Sequence, residues 1–556
     1  MKDHKTGEKD PQTKKAITKQ TRLVIVSLKE AYAFFKEKHP DVKVGFAKFA
    51  ELRPKECLLA DQTGTHSVCV CTIHQNTKLM IEGTKLPQLT AKSKTPINTY
   101  HDCFNYVLCK FTNKACWLGH CPLCPPKDEL HNFLTSIFEA TGQTEVTYTQ
   151  WVSTDRSEIR TITEPTNEFI NKFCDKLLLL RKHSFVSKKQ SASFSKMKDN
   201  LQEGEVLVQG DFSENYKIVV QDESQSFHWN NKQVTLHPFV CYYRGSDNEI
   251  KHVSYVPISE FNKHDTTAVY MFQEKLIKFL KETINFDIKK IFYFSDGCAG
   301  QYKNCKNFYN LCYHKADFGI EAEWHFFATS HGKGACDGVG GILKRLVRKE
   351  SLKRLYKNQI TTAWDFFQYL KHNVDFPSGL TVEFFHEQTY KEIELFLQSR
   401  YAEANTIPQT RKYHCYRPIS KNKLLVKEFS EDDVEIEVSV TGIGIEDTVK
   451  LDLKQDDYVT VVYDDQWWLG KVESETDEEG MVGVSFLRPA GSERVRTFTK
   501  PPKEDFLPVP LEDVLMVVVP LTRKSTENQR KKSSRTTELS PADIKRSCEL
   551  LLEYDR

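Results

Sequence analysis

The order of apolar segments between residues 205 and 357 constrains the fold more than any other feature of this sequence. Short β-type runs alternate with longer runs of helical periodicity, in the order strand, strand, strand, helix, strand, helix, strand, helix. The predicted strands cover 206–211, 233–243, 251–258, 290–296 and 322–328, and the helices cover 267–284, 302–315 and a segment that begins at 337. Three antiparallel strands followed by crossover strands predict an α/β domain with one mixed sheet and helices on its faces.

Three aspartates are candidate catalytic residues because of where they fall in this order. Asp211 ends the first strand, Asp296 ends the fourth, and Asp337 opens the last helix. The order of elements resembles the ribonuclease-H-like fold, in which acids lie at these three places and the first and fourth strands are neighbours. Converging carboxylates repel one another unless a cation lies between them. The sequence therefore predicts a site for two Mg²⁺ or Mn²⁺ ions about 4 Å apart that acts on a phosphodiester.

Each acid also has a simpler interpretation. An aspartate at a strand end is commonly a turn residue, and Asp337 taken alone is an ordinary helix N-cap. Glu323 is a rival third acid, although it lies within the fifth predicted strand. Chance placement of all three aspartates on matching elements is much rarer than any one of these alternatives, and this favours the joint site.

Basic residues beside the third acid are candidate phosphate contacts. They are His331, Lys333, Lys344, Arg345 and Arg348. The first two lie in a glycine-rich loop, which lets the backbone approach a nucleic acid closely. The other three lie in segment 341–357, which contains seven Lys/Arg and one Glu. We expect this helix to follow a DNA backbone, with a solvated helix face as the alternative.

Three short motifs carry a resemblance to a known family. They are QGDFSENY at 209–216, SDGCAGQYKN at 295–304 and SHGKGACDGVGG at 330–341. Over about residues 50–520 the chain resembles uncharacterised transposon-derived proteins, which in turn resemble cut-and-paste transposases with three acidic residues. The resemblance implies DNA strand cleavage and transfer or a domesticated derivative of it, with DNA as partner and a nuclear location. Many such enzymes have Glu as the third acid, whereas this chain has Asp337.

Two other functions stay open at the level of sequence. A catalytically inactive DNA- or chromatin-binding protein would retain the same parts, and a ribonuclease-H-like nuclease acting on RNA or hybrids would share the acids. A homo-oligomer is also open. The balance of 78 basic and 76 acidic residues excludes a uniformly basic surface but leaves room for local patches. Since no run of eighteen apolar residues occurs, we expect no membrane partner.

Eight of the sixteen cysteines lie between Cys57 and Cys124, where they predict a zinc site. Structural zinc takes four Cys or His ligands, usually from two close pairs, and Cys71-x2-His74 and Cys121-x2-Cys124 have that spacing. The candidate ligands are Cys57, Cys69, Cys71, His74, Cys116, Cys121 and Cys124. His66, Cys103, Cys109 and His120 lie near them in the sequence. Because the sequence shows no secretory signal, we expect reduced thiols. Buried free cysteines are the alternative for individual members.

Residues 450–520 contain short strands and turn signals that predict a small barrel. The pattern resembles Tudor-like, SH3-like and chromodomain-like modules, which implies a methylated lysine of a histone tail or other peptide as ligand. Tyr458, Tyr463, Trp468 and Phe486 are the candidates for an aromatic cage around such a cation. Alternating aromatics in a small barrel are more often core, and neighbours on a strand point to opposite sides.

Composition and periodicity set the remaining boundaries. We predict a disordered basic tail at 1–22, a helical region or helix-turn-helix at 23–54, the zinc region at 55–130, a basic helical connector at 131–204, a helical extension at 358–427, an acidic hinge at 428–449, and a basic linker with a terminal helix at 521–556. Ser540-Pro-Ala-Asp543 has the spacing of a capping box for that last helix.

Overall fold

The structure is a computed structural model with two compact units. Unit 1 comprises residues 1–153 and 157–185, and unit 2 comprises residues 154–156 and 186–556. The residues that the structure describes are 4–9, 16–19, 22–24, 28–54, 57–59, 71–126, 128–153, 157–223, 232–284, 286–332, 334–355, 358–376, 379–441, 453–463, 466–474, 476, 481–489, 497–501, 505–521 and 536–554. Among these residues, no helix combines the length and the apolar character needed to cross a membrane.

Unit 1 combines small strand pairs with helices. Its strands are β1 (His4–Lys9), β2 (Ala16–Lys19), β3 (Arg22–Val24), β4 (Cys57–Leu59), β5 (Glu145–Ser153) and β6 (Ser157–Pro165). Its helices are α1 (Leu28–Lys38), α2 (Phe46–Glu51), α3 (Thr72–Gly83), α4 (Leu86–Leu89), α5 (Tyr100–Phe104), α6 (Lys114–Leu118), α7 (Asp128–Thr141) and the first part of α8 (Thr166–Asp199). The pairs β1–β2 and β5–β6 are antiparallel, and β3–β4 is parallel.

The amphipathic pattern of α7 and α8 builds the core of unit 1. Leu130, Leu134 and Phe138 are buried at intervals of four residues along α7. Phe169 and Phe173 have the same spacing on α8, so that each helix turns one apolar stripe inward. The rings of Phe138 and Phe169 meet edge to face at 6.0 Å. This packing forms one cluster with side chains from the helices around the cysteines.

Two predictions for unit 1 need correction. The predicted disordered tail contains β1 and β2, and the predicted helical connector contains the hairpin β5–β6. Val146 and Tyr148 are buried on alternate positions of that hairpin, which is a strand pattern rather than a helical one. The two helices predicted within 23–54 are present as α1 and α2, where Tyr32 packs against Phe46 and Phe49.

Unit 2 begins with alternating strands and helices. The strands are β7 (Glu205–Gly210), β8 (Ser213–Lys217), β9 (Gln233–Leu236), β10 (Phe239–Arg244), β11 (Ile250–Ser259), β12 (Lys290–Ser295), β13 (Glu321–Phe326), β14 (Leu380–Phe385), β15 (Cys415–Pro418), β16 (Lys423–Lys427) and β17 (Ile436–Ser439). The helices are α9 (Thr266–Thr283), α10 (Cys305–Phe318), α11 (Ala335–Ser351), α12 (Ala363–Asn373) and α13 (Glu387–Tyr401).

These strands form one mixed sheet, counted over the described residues as eleven strands. The order is β17-β16-β15-β13-β12-β7-β10-β11-β9-β8, with β14 parallel to β11. At the centre, β7, β12 and β13 are parallel neighbours, while β10 is antiparallel to both β7 and β11. The prediction of a mixed α/β sheet is confirmed.

Helices cover both faces of the sheet. Phe272 of α9 and Phe308 of α10 are buried in a cluster that includes Tyr255 of β11. Leu343 of α11 is buried in a separate cluster that includes Val256, the next residue of the same strand. Because successive strand residues point to opposite sides, α9 and α10 lie on the face opposite to α11.

Several segments around this sheet differ from their predicted structure. The predicted strand 233–243 is two strands, because Pro238 has no N–H to continue the ladder. The predicted helical extension also contributes β14, β15 and β16 to the sheet. Part of the predicted acidic hinge is β17, in which Glu437 forms an ion pair with Lys423 on the neighbouring strand. Cross-strand cations thus neutralise acids that look solvated in the sequence.

The C-terminal part of unit 2 contains the last strands and helix. They are β18 (Tyr458–Tyr463), β19 (Gln466–Ser474), β20 (Met481–Phe486), β21 (Arg488–Pro489), β22 (Thr497–Thr499), β23 (Phe506–Pro510), β24 (Val514–Val518), β25 (Thr536–Glu538) and α14 (Pro541–Tyr554). One antiparallel sheet has the order β23-β20-β19-β18-β24, and a smaller one has the order β21-β22-β25. The backbone N–H of Asp543 donates to Ser540 Oγ at 3.0 Å, so the predicted cap of the terminal helix is present.

The predicted small barrel is not closed in the part of the chain that the structure describes. Its outer strands β23 and β24 pair with β20 and β18 and not with each other. α14 instead packs on one side of the sheet, where Ser547 Oγ lies 3.2 Å from Thr460 Oγ1. The helix therefore covers apolar surface, including Leu469 and Val518, that a closed barrel would bury internally.

Candidate functional site

The three predicted aspartates line one cleft in unit 2. Asp211, Asp296 and Asp337 border a space of about 390 Å³. The other residues around it are Phe212, Ser213, Glu214, His264, Gln301, Gly341 and Lys344. The three aspartates thus share one solvent-accessible concavity with a fourth carboxylate, Glu214, and, among the described lining residues, with one lysine, Lys344.

The central strands explain why the first two aspartates meet. Asp211 follows β7 directly, and Asp296 follows β12 directly. The two strands are parallel neighbours, and Gln209 pairs with Phe294. Asp211 and Asp296, each two residues further along its own strand direction, therefore lie side by side. Because parallel strands end at the same edge of a sheet, both carboxylates emerge at that edge.

The start of α11 brings the third aspartate to the same edge. Cys336, one residue before Asp337, is buried, and its Sγ lies 3.2 Å from the carbonyl oxygen of Gln209 on β7. The Gln209 side chain in turn donates to the carbonyl oxygen of Gly332 at 3.3 Å. Asp337 Oδ2 accepts the backbone N–H of Gly334 at 2.9 Å, so this residue also caps its own helix. The N-cap residue itself is Gly334 and Asp337 lies at position N3, so the interpretation of Asp337 as the N-cap is wrong.

Gly340 lets α11 approach the sheet closely. A Cβ at this position would overlap the side chain of Ser213 and lie 3.5 Å from Pro238. At Gly338, two residues earlier on the same helix, a Cβ would meet no atom within 4 Å. The two glycines therefore allow a matched comparison of packing against intrinsic helix propensity.

We expect Gly340→Ala to destabilise unit 2 by about 1–3 kcal/mol, because overpacking pushes α11 and Asp337 away from the sheet. Gly338→Ala should instead stabilise it by about 0.5–1 kcal/mol, since alanine favours a helix. Urea unfolding of the two variants measures both free energies. Equal effects of the two substitutions would contradict the close approach at Gly340.

The electrostatics of the cleft favour a cation. Burial raises the pKa of Asp296, although the N–H of Cys298 donates to its Oδ1 at 3.1 Å. Burial, followed by the charges of Asp211 and Asp296, raises the pKa of the neighbouring phenol of Tyr302 well above its usual value. That phenol lies 2.7 Å from His237 Nε2, and burial lowers the pKa of His237 to about 3. Burial thus disfavours a charge on both rings next to the aspartates.

The predicted phosphate contacts differ in where the structure places them. Lys344 lines the cleft and donates to the carbonyl oxygen of Glu214 at 2.9 Å, and burial lowers its pKa. Arg345 and Arg348 are exposed on the same helix. His331 is half-buried, and burial lowers its pKa. Lys333 lies outside the described residues.

An aromatic wall of the cleft was not predicted. The rings of Phe212 and His264 stack with centroids 4.4 Å apart, and both residues line the cleft. His264 Nε2 lies 2.9 Å from Asn215 Oδ1, which fixes the orientation of the imidazole. Phe212 and Asn215 both lie in the motif at 209–216, so the motif itself was the available signal. His264 had none, because it follows β11 in a loop.

The rival acid Glu323 is occupied elsewhere. Its Oε1 lies 2.6 Å from Lys290 Nζ, and its Oε2 lies 3.4 Å from His325 Nε2. Burial alone would raise the pKa of Glu323, but His325 and Lys290 lower it to about 2. Glu323 is not among the residues that line the cleft, which favours Asp337 as the third acid.

Unit 1 brings four cysteines together. One ligand atom from each of Cys109, Cys116, Cys121 and Cys124 lies within 4.8 Å of all the others. The sulfur of Cys109 is 3.7 Å from that of Cys121 and 3.6 Å from that of Cys124. Four thiolates around Zn²⁺ at about 2.3 Å have sulfurs about 3.8 Å apart, whereas a disulfide needs about 2.0 Å. This group can hold a metal such as zinc.

Local structure shapes the four-cysteine group. The side chain of Asn113 caps α6 by accepting the N–H of Cys116 at 3.0 Å. Gly119 ends α6 at a φ of 84°, which turns the chain back towards Cys121. A backbone N–H at Leu123 lowers the pKa of the Cys121 thiol to about 7. The guanidinium of Arg181 packs at Gly119 and supplies a positive charge beside the thiols.

The predicted zinc ligands are only partly in this group. Cys116, Cys121 and Cys124 belong to it, and Cys109, which stands between the predicted candidates, completes it. Cys57 lies on β4 and joins none of the metal-ligating groups found among the described residues. Cys69 lies outside the described residues, and Cys71 and His74 lie apart from the four cysteines.

The candidate aromatic cage lies partly in the core. Trp468 and Phe486 belong to the apolar cluster on one side of the C-terminal sheet, and the rings of Tyr463 and Phe486 are 6.4 Å apart. Tyr458 packs on the other side, in the cluster covered by α14. The four aromatics therefore cannot surround one cation, and Tyr458 is corrected to a residue of the opposite face.

The comparisons with known proteins give domain matches of undefined activity. Residues 190–430 match the family model of a domain of unknown function, DUF8701. Residues 72–181 match the domain of unknown function DUF8700, and residues 1–61 match DUF8699. No curated protein and no solved structure matches the chain. The matched segments 72–181 and 190–430 contain the four-cysteine group and the three-aspartate cleft, respectively.

Proposed function

We propose that the cleft is the active site of a transposase-like enzyme, or of a domesticated derivative, that cuts and joins DNA strands. The observation that carries this proposal is the convergence of Asp211, Asp296 and Asp337 on one cleft. The central strand order β11-β10-β7-β12-β13, with only β10 reversed, supports a ribonuclease-H-like core. In that plan the acids lie where these three aspartates lie.

The residues of the cleft suit a pair of Mg²⁺ or Mn²⁺ ions. Such ions prefer oxygen ligands, and the carboxylates of Asp211, Asp296 and Asp337 supply them. When bound, the ions polarise the phosphodiester and stabilise the attacking and leaving oxygens. Asp211 and Asp296, fixed at adjacent strand ends, would hold them, and Asp337 would complete the set from α11. Burial raises the pKa of Asp296, and a bound cation would oppose that shift.

The proposed reaction has two steps that share the cleft. In the first, a water oxygen forms a bond to phosphorus and the bond to the 3′ oxygen breaks, which leaves a 3′-hydroxyl and a 5′-phosphate. In the second, that 3′ oxygen forms a bond to a target phosphorus, and the target's own 3′ oxygen leaves. Protons released by the water and the hydroxyl pass to solvent. No oxidant or cofactor beyond the metal ions is required.

The exposed basic face of α11 would hold the DNA strand at the cleft. Arg345 and Arg348 are exposed, and Lys344 lies between this face and the carboxylates. Phosphate contacts by such residues supply most of non-specific DNA affinity and make it salt-dependent. DNA as partner and a nuclear location belong to the same proposal.

We expect Arg345→Ala/Arg348→Ala to weaken binding of duplex DNA and to reduce the slope of log affinity against log salt by about 2, since each phosphate contact contributes about 0.9. Fluorescence anisotropy from 50 to 200 mM salt measures that slope. Lys349→Ala, an exposed residue of the same helix, is the comparison for a neighbouring charge. An unchanged slope in the double variant would exclude this face as the DNA contact.

The activity itself is tested with the full chain and supercoiled plasmid. We expect nicking with Mg²⁺ or Mn²⁺ and none with chelator, while DNA binding persists in both conditions. Binding without metal-dependent nicking under any of these conditions would favour the catalytically inactive DNA-binding protein instead. Cleavage of RNA–DNA hybrids in preference to duplex DNA would favour the nuclease.

A further inference from the structure

Unit 1 contains a second group of metal-ligating side chains, apart from the four cysteines. Cys71, His74 and His183 each offer one ligand atom, and these atoms lie within 4.8 Å of one another. Cys71 Sγ is 3.2 Å from His183 Nε2, and the rings of the two histidines have centroids 5.2 Å apart. We propose that these three residues bind a second zinc ion, whose fourth ligand comes from outside the three.

The chemistry of the group suits zinc. A tetrahedral Zn²⁺ with a sulfur at about 2.3 Å and an imidazole nitrogen at about 2.0 Å separates these ligand atoms by about 3.6 Å. The distance between Cys71 Sγ and His183 Nε2 is slightly shorter, so a small outward movement of the side chains admits the ion. A thiolate with imidazoles is a ligand set typical of zinc and unsuited to Mg²⁺ or Ca²⁺.

The fold places the three side chains by local rules. Cys71 is the N-cap residue of α3, but its side chain does not cap the helix and instead faces His183. His74 lies three residues later, in the first turn of the same helix, where it shares a face with the N-cap. The buried ring of Tyr100 packs against His74 with centroids 5.6 Å apart. The positive end of the α3 dipole also favours a thiolate at Cys71.

Helix α8 serves both groups from different sides. His183 belongs to the Cys/His group, whereas Arg181 lies beside the four cysteines. Residues two apart on a helix project about 200° from one another, so the two side chains leave α8 in nearly opposite directions. The two proposed zinc ions therefore have no ligand in common, and each can be removed by substitutions that leave the other's ligands intact.

Metal content of the purified full chain tests the proposal. Inductively coupled plasma mass spectrometry should find two zinc ions per chain in the wild type. His183→Ala should retain one, held by the four cysteines, and Cys109→Ser should retain the other. His120→Ala is the matched control, because His120 is exposed within the cysteine segment and belongs to neither group. It should retain both ions.

Co²⁺ substitution distinguishes a ligand from a residue that only supports folding. Five thiolates contribute to sulfur-to-cobalt absorption if both sites form, four from one site and one from the other. Cys71→Ser should lower that absorption by about one fifth, and His183→Cys should raise it by about one fifth while retaining two metals. One zinc ion per wild-type chain, or two in His183→Ala, would overturn the proposal. An unchanged cobalt spectrum in His183→Cys would do the same even if the alanine variant misfolds.

Discussion

Asp296→Asn should reduce Mg²⁺-dependent DNA cleavage by about 10³-fold or more, which corresponds to about 4 kcal/mol of transition-state stabilisation. The asparagine keeps the size of the side chain but removes the charge that, in the proposed site, would hold a divalent ion between β7 and β12. Asp211→Asn and Asp337→Asn should lose comparable activity, since the three carboxylates act as one site and their effects are not additive. Rates of plasmid nicking under single-turnover conditions measure the loss.

DNA binding by the same variants should be retained or slightly tightened. Removing a carboxylate lowers the repulsion of phosphate in the cleft, while the basic face of α11 is unchanged. Asp287→Asn is the matched control, because Asp287 is exposed and lies away from the cleft lining. It should cleave at the wild-type rate. Full activity in any one of the three cleft variants would remove that aspartate from the proposed site.

Loss of metal from the four-cysteine group should unfold much of unit 1. Structural zinc contributes about 10–16 kcal/mol of apparent binding free energy at pH 7, more than the usual net stability of a domain. α6 has only five residues and cannot persist alone, yet its Cys116 is part of the apolar cluster of unit 1. Cys121→Ser, or chelator added to the wild type, should therefore remove a cooperative transition from thermal unfolding.

Cys103→Ser is the matched control for that experiment. Cys103 is fully buried in the same apolar cluster but belongs to neither metal group. Burial raises the pKa of its thiol well above the usual value, so it stays protonated. This variant should keep its zinc and lose only about 1–3 kcal/mol, the cost of placing an extra polar group in the core. Equal destabilisation of both variants would indicate that the cysteines act by packing alone.

The sequence predicts the central sheet well because its information is local. Each buried strand reads as a short apolar run, and the helices between them have a 3.6-residue period. The placement of Asp211 and Asp296 at neighbouring strand ends follows from strand order alone. The position of the start of α11 is harder to predict from the sequence, because the contact between Cys336 and Gln209 joins residues 127 positions apart.

The metal ligands show where reasoning from spacing fails. Cys109 lies seven residues before Cys116, outside the usual pair spacing, and only the turn at Gly119 brings the four sulfurs together. His183 follows Cys71 by 112 residues, and Cys174 on the same helix is nine residues away from it. Neither residue carries a local signal, so close pairs in the sequence were assigned to one site where the structure shows two groups.

The outer strands of both sheets form through strand and helix contacts that cannot be predicted from local composition. Residues 435–439 look like part of an acidic linker, but Lys423 and Lys427 on the adjacent strand form ion pairs with Glu437 and Glu435. In the C-terminal sheet, the alternation of side chains was recognised, but the side that Tyr458 faces depends on the helix α14 that covers it. In both cases the structure depends on contacts with residues that are distant in the sequence and that no local pattern includes.

Binding of Mn²⁺ to the full chain, followed by electron paramagnetic resonance, tests the central claim most directly. We predict two Mn²⁺ ions per chain with spin coupling between them, since ions that share carboxylates lie about 4 Å apart. Asp296→Asn should lose the coupled signal, whereas Asp287→Asn should keep it. The absence of coupled Mn²⁺ in the wild type, or an identical coupled signal in Asp296→Asn, would contradict a two-metal site formed by Asp211, Asp296 and Asp337.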